Sequence, residues 1–346
     1  MGFAIRLPIV TRLLVISLAI AAASTTVAWA QPATVNTCGQ SVSGEAVLGA
    51  DLDCSSYDGP AITINGGRLD LVGFRVTGNY ALPPLYSGIS HAVISCANHQ
   101  LCEIVGPGEL VGGVFGITAN RLKLSSVTIS GNRRDGVHGF WDLDNNSNPI
   151  NVGKLVVAEA SITDNGRYGV YGLRCKIADT TVADNGQHGV HCMQRLKLKS
   201  AVVTGNALDG VRLYWWPRTR AGIVDSVISL NGDNGVNTSS GSLRLSKSRI
   251  SANVGYGVYG TSIHSGKISK TEIVDNGNGG WRNAGNLGTQ SSFARATFRR
   301  SVVEGNCTST SSCTDLYSCG QKTKVVELSC GTSNSCDGNS GFCSLD

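Results

Sequence analysis

The 346-residue sequence predicts an all-β solenoid, in which short strands stack in parallel coils. The first observation is a repeat: seven times between residues 132 and 280, an Asn is followed four residues later by a Gly that opens a short apolar strand. The second is its period of mostly 20 to 25 residues, which marks stacked repeats rather than an ordinary globular domain. The pairs are Asn132/Gly136, Asn165/Gly169, Asn185/Gly189, Asn206/Gly210, Asn231/Gly235, Asn253/Gly257 and Asn276/Gly280.

Each repeat carries three aliphatic positions, which predict three short strands with one large side chain pointing inward from each. Three residues before the Asn lie Ile129, Ile162, Val182, Val203, Ile228, Ile250 and Ile273. Eight residues before it lie Leu124, Val157, Ile177, Leu198, Ile223, Leu245 and Ile268. Five residues after it lie Val137, Val170, Val190, Val211, Val236, Val258 and Trp281. Because β-branched residues dominate and no helical period occurs, equivalent strands should pair in parallel, about 4.8 Å apart from coil to coil.

The recurring Asn suits a turn, since its amide can bond to the equivalent Asn above and below and it tolerates left-handed backbone angles. With this ladder the chain resembles the right-handed parallel β-helix proteins of the pectate-lyase-like superfamily, whose repeats carry such Asn ladders. The resemblance covers residues 120 to 306 and extends weakly to Asn79 and Gly113. We therefore predict a right-handed parallel β-helix of three-strand coils, with the repeats in residues 119–306.

The first thirty residues have the composition of a secretory signal peptide. Arg6 and Arg12 precede an apolar run and the small-residue ending Ala28-Trp29-Ala30, with a single-pass anchor as the competing interpretation. The mature chain would carry no integral membrane segment. We expect a secreted or extracytoplasmic protein, in the periplasm, at the cell surface or in the medium.

All twelve Cys lie beyond this segment, and their even number suits disulfides formed in an oxidising compartment. Six fall within residues 307 to 343, so we predict a disulfide-rich C-terminal cap over residues 307–346. Residues 31–118, with Cys38 and Cys54, would form an N-terminal cap and the first irregular coils. Zinc binding is the rival interpretation, but the spacings contain no CxxC pair.

The formal net charge of +5 is too small to indicate nucleic-acid binding. Its cations nevertheless recur nine residues before the Asn, at Lys123, Lys176, Lys197, Arg244 and Lys267. This column is either an ordinary solvated strand face or a stripe that binds a polyanion, such as a uronate polysaccharide or a teichoic acid.

A second outward column lies six residues after the Asn and contains side chains that can bind sugars. It consists of His138, Tyr171, His191, Arg212, Asn237, Tyr259 and Arg282. The neighbouring column of Gly residues would let a flat ligand approach the backbone. The alternative is that the Gly residues merely serve the turn and the polar column is ordinary surface.

Two insertions, residues 141–153 and 214–220, interrupt the repeat at the same edge and could flank a groove about 14 Å wide. Their aromatic residues are suited to stacking on sugar rings; these are Trp141, Tyr214, Trp215 and Trp216. Asp142, Asp144 and Asn146 place oxygen atoms as a Ca²⁺ loop would, though the match is partial and an Asn-rich turn is the alternative. No other cofactor is expected.

Many members of the superfamily cleave or epimerise acidic polysaccharides, using Lys, Arg, His or Tyr to remove the proton next to a carboxylate. The resemblance thus implies His191 as base, Arg212 as carboxylate clamp, and Tyr171 or His138 as proton donor. The motifs of polygalacturonase-type hydrolases and of pectate lyases are missing from the sequence. Asp135 and Asp209 are three coils apart, which is too far for the paired carboxylates of glycoside hydrolysis.

Two functions therefore stand side by side. The first is an exported protein that binds a polysaccharide or cell-surface glycan, or serves as a structural element. The alternative is a polysaccharide lyase or epimerase acting on a uronate polymer. Convergence of His138, Tyr171, His191 and Arg212 within a groove walled by both insertions would favour the enzyme, and a flat open ladder would favour binding.

Overall fold

The computed structural model describes residues 31–81, 91–97, 99–140, 142–143, 149–150, 153–213, 219–239, 241–260, 263–283, 295–304, 323–330 and 343–344. The chain divides into residues 1–31 and residues 32–346. The predicted signal peptide lies outside the described residues. All regular structure in the described part is β-strand. None of it is a helix long and apolar enough to cross a membrane.

The strands are numbered in chain order. The N-terminal coils contain β1 (Ala33–Val35), β2 (Gln40–Leu48), β3 (Leu52–Asp53), β4 (Ile62–Asp70), β5 (Arg75–Thr77), β6 (Ala92–Cys96), β7 (Leu101–Val105), β8 (Glu109–Val111) and β9 (Phe115–Ala119). The next coils contain β10 (Arg121–Ser125), β11 (Thr128–Ser130), β12 (Val137–Gly139), β13 (Asp142–Leu143), β14 (Pro149–Ile150), β15 (Leu155–Ala158), β16 (Ser161–Thr163), β17 (Val170–Ala178) and β18 (Thr181–Ala183). They continue with β19 (Val190–Lys199), β20 (Val202–Thr204), β21 (Val211–Leu213), β22 (Arg220–Val224), β23 (Val227–Ser229), β24 (Val236–Thr238), β25 (Gly241–Ser246) and β26 (Arg249–Ser251). The last coils contain β27 (Tyr256–Gly260), β28 (Ile263–Ser269), β29 (Glu272–Val274), β30 (Gly279–Asn283), β31 (Arg295–Glu304), β32 (Thr323–Cys330) and β33 (Cys343–Ser344).

These strands wind into about nine turns of a parallel solenoid with three sheets along its length. In the first sheet, β10, β15, β17, β19, β22, β25 and β28 follow one another. The second contains β11, β16, β18, β20, β23, β26 and β29. The third contains β12, the first halves of β17 and β19, β21, β24, β27 and β30. The predicted right-handed parallel β-helix of three-strand coils is confirmed.

The predicted register is confirmed by the core. Equivalent aliphatic residues pair from coil to coil, as Val170 does with Val190 and Val190 with Val211. The aliphatic residues of all three inward columns are at most 1% exposed, and Trp281 is 8% exposed. Because each coil fills the interior with one side chain from each sheet, the core is a continuous stack rather than a globular centre.

The Asn ladder runs along the interior beside this core. From Asn132 to Asn253, each ladder Asn donates its side-chain Nδ2–H to Oδ1 of the Asn in the next coil, at 2.8 to 2.9 Å. The same Oδ1 also accepts the backbone N–H of the preceding ladder Asn, as Asn206 Oδ1 does from Asn185 at 3.2 Å. The ladder is at most 1% exposed, so each rung satisfies polar groups that burial would otherwise leave unpaired.

The left-handed backbone expected at the ladder Asn lies one residue earlier. Asp164, Asp184 and Asp275, which precede ladder Asn residues, have φ angles of 55°, 54° and 56°. The Asn amide is held by its bonds along the ladder, and the preceding residue takes the left-handed turn instead, even where it is Leu230, with a φ angle of 56°. The expectation was therefore right about the turn and wrong about the residue that makes it.

A second ladder, of hydroxyl side chains, was not identified from the sequence. Thr180, Ser226, Ser248, Thr271 and Ser301 lie at the bend between the first and second sheets and are at most 4% exposed. The backbone N–H of Ser226 donates to Ser248 Oγ at 3.2 Å, and Ser226 Oγ donates to the Val224 carbonyl at 2.8 Å. These bonds satisfy the buried backbone at the second corner of each coil.

Three disulfides connect described residues, and they fit an extracytoplasmic location. They join Cys38 to Cys54, Cys96 to Cys102 and Cys175 to Cys192. They therefore fasten the N-terminal and central coils rather than the C-terminal end. At that end β32 pairs antiparallel with β31, and β33 pairs with β32. The side chains of the predicted cap lie outside the described residues.

Candidate functional site

Two polar columns, not one, follow the edge between the Asn turn and the third sheet. The expected column lies six residues after the Asn, and a second lies three residues after it, directly before each Gly. Their side chains contact one another within and between coils. We call the two together the polar stripe. It consists of Asp135, Tyr168, His188, Asp209, Asn234 and Tyr256 with His138, Tyr171, His191, Arg212, Asn237, Tyr259 and Arg282.

The Gly column beside the stripe faces inward, contrary to the expectation that it would let a ligand reach the backbone. A Cβ at Gly136 would lie 2.6 Å from Ile162 Cγ2 and 2.9 Å from Asn165 Nδ2. A Cβ at Gly189 would likewise lie 2.7 Å from Asn206 Nδ2. These Gly residues make room for the ladder of the next coil. The role of these Gly residues is packing, and the polar side chains form the outer surface along this edge.

At one end of the stripe, a buried carboxylate orients an accessible imidazole. Asp135 is fully buried, and its Oδ2 lies 2.6 Å from Nδ1 of His138, whose side chain is 23% exposed. Asp135 Oδ1 accepts the backbone N–H of Tyr168 at 3.4 Å. Hydrogen bonding through Nδ1–H leaves Nε2 of a neutral His138 as the free lone pair. This arrangement is suited to a general base whose ring is held in one tautomer.

Two guanidinium groups border this pair. Arg134 and Arg167 are half-buried and lie in adjacent coils. The backbone N–H of Arg167 donates to the backbone carbonyl of Arg134 at 2.9 Å. Arg167 Nε lies 3.8 Å from Asp135 Oδ1, and its guanidinium covers the Tyr168 ring at 4.6 Å. Arg134 covers the Phe115 ring at 5.5 Å. Positive charge is therefore held next to His138 by ring contacts, where it could neutralise a ligand carboxylate.

Stacked rings continue the stripe over the next two coils. His138 stacks on Tyr171 at 5.1 Å between ring centroids, and Tyr171 stacks on Tyr168 at 5.4 Å. Tyr168 in turn stacks on His188 at 5.6 Å. Burial raises the pKa of Tyr171, with further contributions from Tyr168 and Asp135. Its hydroxyl therefore keeps its proton at neutral pH and can act as a donor.

His191, which we expected on the exposed column, is only 7% exposed. Tyr168, Tyr171 and His188 meet its ring edge-on, at 5.1, 5.2 and 5.6 Å between centroids. Burial lowers its pKa to about 4, and the neighbouring charge of Arg212 acts in the same direction. His191 is therefore neutral near pH 7, and it contributes to the floor of the stripe more than to its surface.

One coil further, a second buried carboxylate has different partners. Asp209 is fully buried and accepts bonds from Asn234 Nδ2 at 2.8 Å and Asn237 Nδ2 at 3.1 Å. Arg212 Nη1 lies 3.6 Å from its Oδ2 and 3.2 Å from His188 Nε2. Burial raises the pKa of Asp209 to about 6, although the bond from Asn234 acts in the opposite direction. Arg212 is engaged within the protein.

The contact with Arg212 also fixes the charge of His188. The Arg212 guanidinium is a donor facing Nε2, and the backbone N–H of Asp209 donates to Nδ1 at 3.1 Å; a protonated imidazole has no lone pair for either donor. Burial, followed by the charges of Arg212 and His191, lowers the pKa of His188 to about 3. Both His188 and His191 are thus neutral side chains in the middle of the stripe. They add aromatic rings without positive charge to the floor of the stripe.

The remaining expected residues divide between the far end of the stripe and segments outside the described residues. Tyr259 packs against Tyr256 at 5.6 Å, and Arg282 donates to the Tyr256 hydroxyl at 2.6 Å. Trp141, Tyr214, Trp215, Trp216, Asp144 and Asn146 lie outside the described residues. Asp142 is described by its backbone alone, in a short hairpin of β13 and β14. Within the described residues no group of three or more metal-ligating side chains occurs.

Sequence reasoning missed half of this site. It aligned the column six residues after the Asn, but not the column directly before the Gly, to which Asp135, Tyr168 and His188 belong. The signal was available, because the residue before the repeat Gly is Asp, Tyr, His, Asp, Asn and Tyr in six successive coils. Arg134 and Arg167, one residue earlier in their coils, gave no comparable pattern.

No family model and no curated protein matches the sequence. Solved structures are similar to part of this chain. The periplasmic alginate epimerase AlgG is 14% identical with a TM-score of 0.41, over 68% of this chain and 53% of its own. The A-module of the Azotobacter vinelandii mannuronan C-5 epimerase AlgE4 is 13% identical with a TM-score of 0.41, over 71% of this chain and 81% of its own. This chain thus spans about half the length of AlgG. Both are right-handed parallel β-helix proteins of the pectate-lyase-like superfamily, the group that the repeats resemble.

Proposed function

We propose that this protein modifies an acidic polysaccharide, removing the proton next to a uronate carboxylate as a lyase or C5 epimerase does. The observation that carries the proposal is the His138–Asp135 pair. It combines a partly exposed imidazole with a fully buried carboxylate at 2.6 Å, beside two guanidinium groups and a stacked Tyr. These are the groups that this reaction needs: a base, a group to orient it, a counter-charge and an acid.

In the proposed reaction, Nε2 of His138 accepts the proton from the carbon that bears the carboxylate. The electron pair left behind spreads onto the carboxylate, so its negative charge grows as the bond breaks. Arg167, which lies 3.8 Å from Asp135, and Arg134, which covers the Phe115 ring next to His138, would stabilise that charge. Asp135 accepts the Nδ1–H and stabilises the imidazolium that forms.

The fate of the electron pair decides between the two outcomes. In a lyase it expels the neighbouring glycosidic oxygen, which then needs a proton, and the hydroxyl of Tyr171, whose ring stacks on His138, would supply it. In an epimerase a proton returns to the same carbon from the opposite face and no bond of the backbone breaks. Glycoside hydrolysis remains disfavoured, because Asp135 and Asp209 are separated by the coils of Tyr168 and His188.

A second candidate function is glycan binding without chemistry, and the lower half of the stripe favours it. Arg212, His188, Asn234 and Asn237 are committed to Asp209 or to one another, which leaves the partly exposed ring of Tyr259 at the outer surface. Rings of this kind stack on sugars without reacting with them. The two functions differ in whether His138 is needed for a product.

The test incubates the oxidised mature chain with a panel of polymers: alginate, polygalacturonate and a neutral glucan. Ultraviolet absorbance reports unsaturated uronate ends, and proton NMR reports epimerised residues. A His138→Gln variant keeps a polar side chain of similar size but loses the base, so the rate of product formation should fall by about 10²-fold or more.

Tyr259→Phe is the matched control, because it removes one hydroxyl from the same stripe five coils away. It should leave the rate unchanged. Product formation by His138→Gln at the wild-type rate would exclude His138 as the base. Binding of a polymer with no product, unchanged in His138→Gln, would replace the enzyme with the glycan-binding function.

A further inference from the structure

A face of the first sheet, separate from the polar stripe, carries an array of cations. Three Arg residues pair across adjacent strands as Arg174, Arg195 and Arg220. Two residues further along the same strands, Lys176 pairs with Lys197, which pairs with Gly222, then Arg244 and Lys267. We call these seven cations of β17, β19, β22, β25 and β28 the basic face. All seven are exposed.

No ion pair among the described residues balances the charge of this face. The five strands contain no Asp or Glu. Among the described residues, the ion pairs of Lys and Arg involve other cations; Lys123, for example, pairs with Glu103 at 2.6 Å where the array begins. Like charges about 4.8 Å apart in neighbouring strands repel one another, so the array costs stability unless an anion lies over it.

The array has a gap at Gly222 that the backbone does not require. Its φ angle lies outside the left-handed range, and a Cβ there would meet no atom within 4 Å. Without a side chain between Lys197 and Arg244, the face opens into a cavity of about 530 Å³. Five of the cations line it, namely Arg195, Lys197, Arg220, Arg244 and Lys267, with Ser242 and Ser265 between them.

We propose that the basic face, centred on the Gly222 gap, is a binding site for a linear polyuronate chain. Guanidinium groups bind carboxylates through paired hydrogen bonds, and one carboxylate per sugar matches a row of single cations better than a compact ligand would. The chain would lie across the strands, with one carboxylate in the gap. The choice of a uronate as the anion rests on the proposed function. The choice of a linear polyanion as the ligand rests on the basic face alone.

Other anionic surfaces fit this face less well. Single-stranded nucleic acid is normally held by aromatic side chains stacked on its bases, and the basic face has none. A membrane surface would need exposed apolar or aromatic residues to enter it, and the lining apolar residues Leu196, Ala221 and Leu243 are buried.

The face also lies close to the polar stripe. Strands β17 and β19 run without interruption from the third sheet into the first. Arg174 is therefore only three residues beyond Tyr171 on one strand, about 10 Å away. A site so placed would hold a polymer near the stripe without taking part in the chemistry.

The test measures binding of polygalacturonate to the full mature chain by isothermal titration, at low and at physiological salt. Lys197→Gln with Arg244→Gln should weaken binding by about tenfold, since two direct charge contacts are lost. Gly222→Leu fills the gap without changing the charge and should weaken binding by about fivefold, with an unchanged melting temperature. The wild type should bind less tightly as salt rises.

The matched control is Lys247→Gln with Lys270→Gln, which removes the same charge from exposed turns outside the face. It should change the affinity less than twofold. An equal loss in the control, or wild-type affinity in Gly222→Leu, would overturn the site. So would tighter binding of single-stranded DNA or of anionic phospholipid vesicles than of the polyuronate. The readout is binding and not product formation, so failure of the proposed reaction leaves this measurement intact.

Discussion

Nδ1 of His138 lies 2.6 Å from Oδ2 of Asp135, a carboxylate with no exposed surface at all. The bond holds the ring so that the opposite nitrogen is left for a ligand, and the charge of the carboxylate stabilises the imidazolium when the ring takes up a proton. We predict that Asp135→Asn, which has nearly the same shape, lowers kcat about 10- to 100-fold and leaves KM within about twofold. Steady-state kinetics on the polymer that gives product checks this.

Asp209→Asn is the matched control for that prediction, because it makes the same change in the same column three coils away. It should lower kcat far less than Asp135→Asn. Equal losses in the two variants would mean that both carboxylates act only through folding.

The Asn ladder should be cooperative along its length. Asn185→Ala removes the Oδ1 that accepts from Asn165 and the Nδ2 that donates to Asn206. Because the groups left behind are fully buried, we predict a loss of about 2–4 kcal/mol in the free energy of unfolding. Urea denaturation measures it. Gln187→Ala, on the outside of the same turn, should cost less than about 0.5 kcal/mol; a similar cost for both would contradict the ladder's role.

The inward Gly column gives a prediction about added volume rather than about lost hydrogen bonds. Gly189→Ala adds one methyl group, 2.7 Å from both Asn206 Nδ2 and Val203 Cγ1. Overpacking of this kind costs about 1–3 kcal/mol, so the melting temperature should fall. Gly222→Ala, whose new methyl group meets nothing, should leave it unchanged or raise it slightly. If Gly189→Ala melted like the wild type, the Gly column would face outward after all.

Stability should decline in mild acid because of the two buried imidazoles. The pKa values of His188 and His191 are lowered from 6.5 to about 3 and about 4, so between pH 6.5 and 4 the unfolded chain binds protons that the folded chain does not. Each group then lowers the free energy of unfolding as pH falls, by about 2 kcal/mol at pH 5. Asp209, whose pKa is raised to about 6, opposes them between about pH 6 and 4.

Two histidines outweigh one carboxyl, so we expect net loss of stability from pH 7 to pH 5. His188→Gln should reduce that loss by about 1–2 kcal/mol, and Asp209→Asn should increase it. Urea denaturation at a series of pH values gives both slopes. An identical pH dependence in the wild type and His188→Gln would show that the imidazole is not held neutral.

The sequence was sufficient for the coil because its rules repeat. One Asn, one Gly and three aliphatic positions, read seven times, give the register, the pairing and the core. The site could not be read in the same way, because its residues differ from coil to coil. His188 and Tyr168 belong to the site because their rings contact other rings across the bend. Which side chains of the two outward columns become buried depends on how these large rings pack. That is why His191 was expected at the surface and lies beneath it.

Each coil advances by one strand spacing but changes the side chains that it offers. Along the polar stripe, successive coils carry Asp with His, then Tyr with Tyr, His with His, and Asp with Arg. A sugar moved along by a single coil would therefore face different chemistry, although the backbone beneath it is the same. The solenoid thus distinguishes both the position of a bound chain, coil by coil, and its direction. Only one sugar at a time can lie opposite His138.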